Sequence, residues 1–173
     1  PISPQTPCPL HWRIKDKGIS VTEIALQDAQ ALAEAACKNM YDADACTRWL
    51  GMRIEAVGPG YARLSMTVRP EFLNGHRTCH GGLIFTLADS AFAFACNSHN
   101  HNTVAAGCSV EFLRPAHGGD VLTAEATEQV LSGRHGVYDV RVSNQAGEVV
   151  AMFRGKSAQI RGHVIPVPDS TEQ

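Results

Sequence analysis

No run of apolar residues in the sequence is long enough to cross a bilayer. A spanning helix needs roughly 20 in succession, and the longest stretch, Leu83 to Cys96, is shorter and broken by Asp89. Neither charge is in excess: 15 Lys and Arg stand against 17 Asp and Glu, interspersed along the chain. That balance argues against nucleic acid or a membrane surface as the main partner. The six cysteines (Cys8, Cys37, Cys46, Cys79, Cys96 and Cys108) form no CxxC pair, so reduced thiols are expected. The first 20 residues hold no continuous apolar block, so an export signal is not expected and a cytoplasmic location is. The signatures GxSxG, GxGxxG and the P-loop are also missing, which leaves no support for a hydrolase serine elbow or a nucleotide cofactor of those kinds.

What is present fits one globular domain: 173 residues, 44% of them apolar, can bury an ordinary core. Residues 1–24 read as a loose, proline-bearing extension, 25–161 as the domain and 162–173 as a tail. The alanine-rich segment 25–41 predicts a helix broken at Asp42 to Asp44, followed by a short turn ending at Gly51. Segments 52–57 and 61–68 predict a hairpin, with Ala62, Leu64, Met66 and Val68 on its buried face. Segment 82–98 is apolar on nearly every side, which predicts a helix buried all round. Four more strands are expected at 103–113, 121–131, 136–144 and 148–160, separated by turns at 115–120, 132–135 and 145–147. Sequential antiparallel strands with one apolar helix suggest an α+β sheet wrapped around that helix. Its uncovered edges and face call for a second subunit.

Asp89 lies among Leu87, Ala88, Ala91, Phe92 and Phe94, where a core built only for stability would carry an apolar residue. The structural alternative is a carboxylate wetted at the helix edge and satisfied by Ser90 or Thr86. His80, Gly81 and Gly82 precede the helix. Backbone amides of a first helical turn lack internal partners and sit at the positive end of the dipole, which suits a developing oxyanion. A plain glycine turn is the alternative. Gly81 and Asp89 are separated by roughly 12 Å of helix axis, so both reach one carbon only if they come from different subunits. His76, Cys79, His80, Cys96, His99 and His101 could supply zinc ligands by type, yet they show no ligand spacing and lie at opposite ends of the helix, so no metal is expected. Cys79 beside His80 is poorly arranged as a nucleophile and base. Asn74-Gly75 is most simply a tight turn. Arg114, Arg154 and Lys156 are candidates for coenzyme A phosphates, or else a solvated charged face.

The stretches 74–98 (NGHRTCHGGLIFTLADSAFAFACNS), 111–120 and 150–157 resemble the hotdog-fold thioesterases of phenylacetate degradation, over about residues 37–161. The resemblance implies a long helix wrapped by an antiparallel sheet, dimers assembled into tetramers, and no cofactor beyond the coenzyme A of the substrate. It implies hydrolysis of acyl-CoA thioesters, with ring-hydroxylated phenylacetyl-CoA favoured. The family's catalytic carboxylate falls on Asp89, its carbonyl-polarising glycine on Gly81 and its active-site histidine on His80; Asp89 of the facing subunit then either attacks the carbonyl carbon or deprotonates a water that does. Asn74 occupies the loop ahead of them, and Asn74 and Gly82 are candidates to contact the substrate. Ala43 stands where close relatives carry an asparagine, a departure that bears on how the water or the carboxylate is oriented. A hotdog hydroxyacyl-thioester dehydratase using His80 with Asp89, and a non-catalytic acyl-CoA-binding protein, are the alternatives on the same fold.

Overall fold

The structure, a computed structural model, describes residues 28–167. The expected 1–24 extension lies outside them. The first helix, α1 (Ala29–Ala43), starts where the Asp28 side chain accepts the Gln30 N–H. It runs through Asp42 and stops at Asp44, whose N–H returns to the carbonyls of Met40 and Tyr41. Residues 25–27 of the expected helix lie outside the described range. Asp44 also opens α2 (Ala45–Trp49) by accepting the Thr47 N–H, so one aspartate ends one helix and caps the next.

The hairpin β1 (Arg53–Gly58) and β2 (Tyr61–Thr67) turns at Gly60, whose φ of +67° favours a residue without Cβ. In β2 the alternation is as expected, with Ala62, Leu64 and Met66 buried, and Val68 is buried just beyond it. A 3-10 turn at Pro70–Phe72 and a loop lead to the central helix, α3 (Gly81–Asn97). Four strands follow: β3 (His101–Phe112), β4 (Val121–Ser132), β5 (His135–Ser143) and β6 (Val149–His163). They join the hairpin in one sheet of order β1-β2-β4-β5-β6-β3, with every neighbouring pair antiparallel. This is the hotdog fold, a sheet curled about α3. No helix among the described residues is long and apolar enough to cross a membrane.

The helix presses on the sheet through aromatic rings. Phe92 meets Tyr138 at 5.5 Å and Phe153 at 5.8 Å between centroids. Beneath Phe92 lies Gly155 of β6, where a Cβ would stand 2.8 Å from the ring. At the far end of α3 the polar groups are satisfied in pairs. The Asn97 amide bridges the Thr103 backbone with two 2.9 Å bonds, and the Tyr138 hydroxyl and His99 Nε2 both meet Glu128 Oε2. Burial, then the neighbouring Glu128, pushes the Tyr138 pKa up, so it stays a donor. Strand β6 runs past the domain edge expected at 161, and Val164 and Ile165 donate to Asn100.

The helix is not buried all round. Gly82, Phe85, Thr86, Asp89, Ser90 and Ala93 recur at three- and four-residue spacing and are only partly buried or exposed in the protomer. The sheet, α1 and α2 cover the rest. A second uncovered feature is the outer edge of β3, which pairs only with β6 and carries Val104 and Phe112 at 46% and 52% exposure.

The Gly155–Phe92 contact makes a stability prediction. Gly155→Ala forces the ring or the strand to move and lowers unfolding free energy by ~1–3 kcal/mol. Gly75→Ala meets nothing within 4 Å and stays within about 0.5 kcal/mol of the parent. Urea denaturation of both variants checks the contrast.

Candidate active site

The loop before α3 is tied down by its backbone. Cys79 N–H donates to Ala116 O and His80 N–H to Phe72 O, each at 2.8 Å. His80 then serves as the N-cap, its Nδ1 accepting the Gly82 N–H at 3.0 Å. The following amides of the first turn reach back to His80 O, from Leu83 at 2.9 Å and Ile84 at 3.3 Å. Gly81 alone is left: its N–H carries no hydrogen bond among the described residues. An unpaired donor at the positive end of a 17-residue helix is the arrangement that stabilises an oxyanion.

That amide borders an open groove of ≈ 320 Å³ lined by Thr78, Gly81, Ile84, Phe112, Arg114 and Pro115. A Cβ on Gly81 would stand 3.2 Å from Phe112 Cζ, so the absence of a side chain lets that ring lie against the start of the helix. Arg114 lies at this groove, 3.4 Å from Glu148 in an exposed pair. The side chains of Phe112 and Leu113, exposed by 52% and 57%, give it apolar walls.

Asp89 sits two turns along the same helix, on the uncovered stripe. It is half-buried rather than sealed in the core, and burial holds its pKa above the usual carboxylate range. Along one side of the stripe lie α1 and α2, where Tyr41 packs on Phe94 at 6.5 Å and Thr47 Oγ1 lies 3.3 Å from Ser90 Oγ. On the other side Phe85 packs edge-on to Phe153 at 5.6 Å. Ala43, at the end of α1, is exposed and brings no polar side chain to this stripe.

The remaining candidates are placed differently. Asn74 Oδ1 accepts the His76 and Thr78 N–H groups, closing its own loop, so its carbonyl is occupied by the turn. The Gly82 amide is taken by His80. Arg154 grips Asp139 with bonds of 2.6 and 2.7 Å, and Lys156 shares its face. That face is opposite α3, because the intervening Gly155 is the residue under Phe92. Neither cation is brought towards Asp89. Burial pushes the Cys79 thiol up to about 11, away from the thiolate that a nucleophile needs, and the His80 ring turns to Gly82. No three His, Cys, Asp or Glu side chains among the described residues converge as metal ligands.

Two features went unread in the sequence. The Phe112–Leu113 rim ends a strand and carries no motif. The Asp44–Thr47–Ser90 contact had a partial signal, since Asp three residues before Thr at a helix start is a capping pattern.

A family model of the thioesterase superfamily matches residues 76–151. The acyl-coenzyme A thioesterase PaaI of Escherichia coli (strain K12) is 48% identical over 125 residues, covering 72% of this chain and 89% of that enzyme. The solved structure of the E. coli PaaI protein from the phenylacetic acid degradation operon superposes with a TM-score of 0.78. It is 45% identical, and the match covers 79% of this chain and 99% of that one. A thioesterase protein from Streptococcus pneumoniae solved with coenzyme A is 25% identical with a TM-score of 0.63, over 65% and 88% of the two chains. Such similarity along nearly the whole of the E. coli enzyme, on the same sheet-wrapped helix, places this chain in the thioesterase superfamily.

Proposed function

We propose that the protein hydrolyses aryl-acyl-CoA thioesters, (hydroxy)phenylacetyl-CoA foremost, to the free acid and coenzyme A. The observation that carries the mechanism is the unpaired Gly81 N–H at the start of the helix that bears Asp89. The thioester carbonyl oxygen accepts from Gly81, so negative charge developing there meets a fixed donor and the helix dipole. Asp89 takes a proton from water as the water oxygen bonds to the carbonyl carbon. The C–S bond then breaks with its electron pair on sulfur, and the proton held by Asp89 passes to the thiolate. The carboxylate is restored, and no cofactor beyond the substrate's own coenzyme A enters the balance. Apolar walls at Phe85 and Phe112 suit an aryl group, and Arg114 at the groove mouth suits a phosphate. His80 supports the site by holding the cap.

The two reacting groups are separated by roughly 12 Å of one helix, so each site takes Gly81 from one subunit and Asp89 from the other. The bare β3 edge supports a homodimer formed there by strand pairing. A tetramer of two such dimers would cover part of the outer sheet face, where Val130 stands 52% exposed. The five described cysteines are free thiols, consistent with a cytoplasmic location.

Five outcomes test this reading. Asp89→Asn lowers kcat for phenylacetyl-CoA at least ~100-fold, measured by thiol release; turnover near that of the parent would sink the role of Asp89. Wild-type kcat/KM falls as pH drops through the raised Asp89 pKa, with a midpoint above the ~3.9 of a free aspartate. A raised folded-state value means that Asp89 favours the fold below the unfolded pKa and loses that contribution as pH rises through the folded one. Asp89→Asn is therefore no less thermally stable than the parent at pH 7, by calorimetry. Gly81→Pro suits the first helical position, and His80 already has the extended ψ of 129° that a following proline requires. It keeps the fold once the exposed Phe112 ring gives way to the new Cβ, removes the N–H and, with its ring atoms beside the groove, cuts kcat by about 10²–10³. Mixed and reassembled with Asp89→Asn, it regains about a quarter of parental activity, because a heterodimer has one complete site. No recovery in verified heterodimers would place both groups in one subunit.

A panel of acyl-CoA substrates tests the acyl group. Phenylacetyl and hydroxyphenylacetyl thioesters exceed straight-chain ones in kcat/KM by about tenfold or more; equal values would remove the aryl preference.

A further inference from the structure

The uncovered stripe holds a second polar side chain. Ser90 follows Asp89 on the uncovered stripe, and its Oγ lies 3.3 Å from Thr47 Oγ1. Thr47 belongs to the five-residue α2 and is only 1% exposed. Its hydroxyl donates to Asp44 Oδ2 at 2.5 Å, while Asp44 Oδ1 accepts the Thr47 N–H at 3.0 Å.

These contacts have one direction. An ionised Asp44 only accepts, and a threonine hydroxyl has one proton to give. That proton is committed to Asp44, so in the contact between the hydroxyls Ser90 is the donor. The single Ser90 proton is then directed at Thr47, and what Ser90 has left to offer on the uncovered stripe is a lone pair. Capping alone explains Asp44 Oδ1 at the Thr47 amide. It does not explain the buried hydroxyl that links the second carboxylate oxygen to the helix bearing Asp89.

We propose that Asp44 and Thr47 form a positioning device that fixes Ser90 Oγ as a hydrogen-bond acceptor for the attacking water. This inference rests on the reading of Asp89 as general base. The water gives one hydrogen to Asp89 and the other to Ser90 Oγ, which leaves an oxygen lone pair directed away from both and towards the thioester carbon. The proton that leaves the water goes to Asp89; none moves along Ser90, Thr47 and Asp44. Ser90 touches the water, and Thr47 acts only through Ser90.

Steady-state kinetics on phenylacetyl-CoA test it with Thr47→Val, Thr47→Ser, Ser90→Ala, Ser90→Thr and the double variant Thr47→Val/Ser90→Ala, beside Asp89→Asn. Thr47→Val is expected to lower kcat about tenfold while KM stays within about twofold. Thr47→Ser restores the hydroxyl and returns kcat to within about twofold of the parent. The double variant is no slower than Ser90→Ala alone, because the second change removes nothing further. Parental kcat in Thr47→Val, a rise in KM alone, or losses that multiply in the double variant would each overturn the proposal. If Thr47→Val does not fold, the partly exposed position 90 decides: Ser90→Ala must lose kcat and Ser90→Thr must keep it, and equal rates in the two refute the device. Normal turnover by Asp89→Asn would defeat the general-base reading and this inference together. An inactive Asp89→Asn beside fully active Thr47 and Ser90 variants would defeat this inference alone.

Discussion

Phe92 rests on the backbone of β6 at Gly155, with no room between them for a methyl group. That contact sets how close α3 lies to the sheet and how it is rotated about its own axis. With the Phe92 side pressed on Tyr138 and Phe153, the stripe carrying Gly82, Asp89 and Ser90 can only face away from the strands. A carboxylate turned inward among those rings would be desolvated without a partner. One apolar approach, far from any chemistry, thus decides which side of the helix is reactive.

The same helix presents its two polar devices at different heights. At its start, two backbone pins hold the loop while the His80 ring takes up the second amide, leaving the first unpaired. Midway along, partial burial keeps Asp89 more basic than a surface carboxylate. A helix is too rigid to bring the two together. The sheet completes neither site, since β3 ends it with an unpaired edge. The open sheet edge and the proposed division of the site thus favour the same partner, a second copy.

Much of this was legible in the residues because the signals were local and periodic. The alternation in Tyr61–Thr67 gave the buried face of β2, and the turn residues bounded each later strand to within a few positions. Asp89 and Gly81 stood out because one is polar in an apolar run and the other lacks a side chain. What escaped depended on tertiary placement. Even hydrophobicity around 82–98 concealed that one stripe is left open, because sequence hydropathy does not tell cover by the same chain from cover by another. The outward face of Arg154 follows from the pleat and from its pairing with Asp139, neither of which its neighbours in sequence reveal. Asn74 looked available to substrate, yet its carbonyl closes its own loop. Helix α1 overran its expected stop because Asp42 is tolerated on an exposed turn beside Lys38, and Asp44 is the residue that ends it.

The bare β3 edge has a consequence for the life of the chain. A lone protomer shows a long strand whose amides and carbonyls invite any extended peptide, and in the assembly proposed above it also holds only half of each reaction centre. Mass action then couples safety to competence. Under that proposal newly synthesised copies would stay silent until they meet, and the encounter that switches on hydrolysis would also hide the surface most prone to misassociation. Strong dilution would reverse both together, so specific activity should track protein concentration near the dissociation constant of the pair.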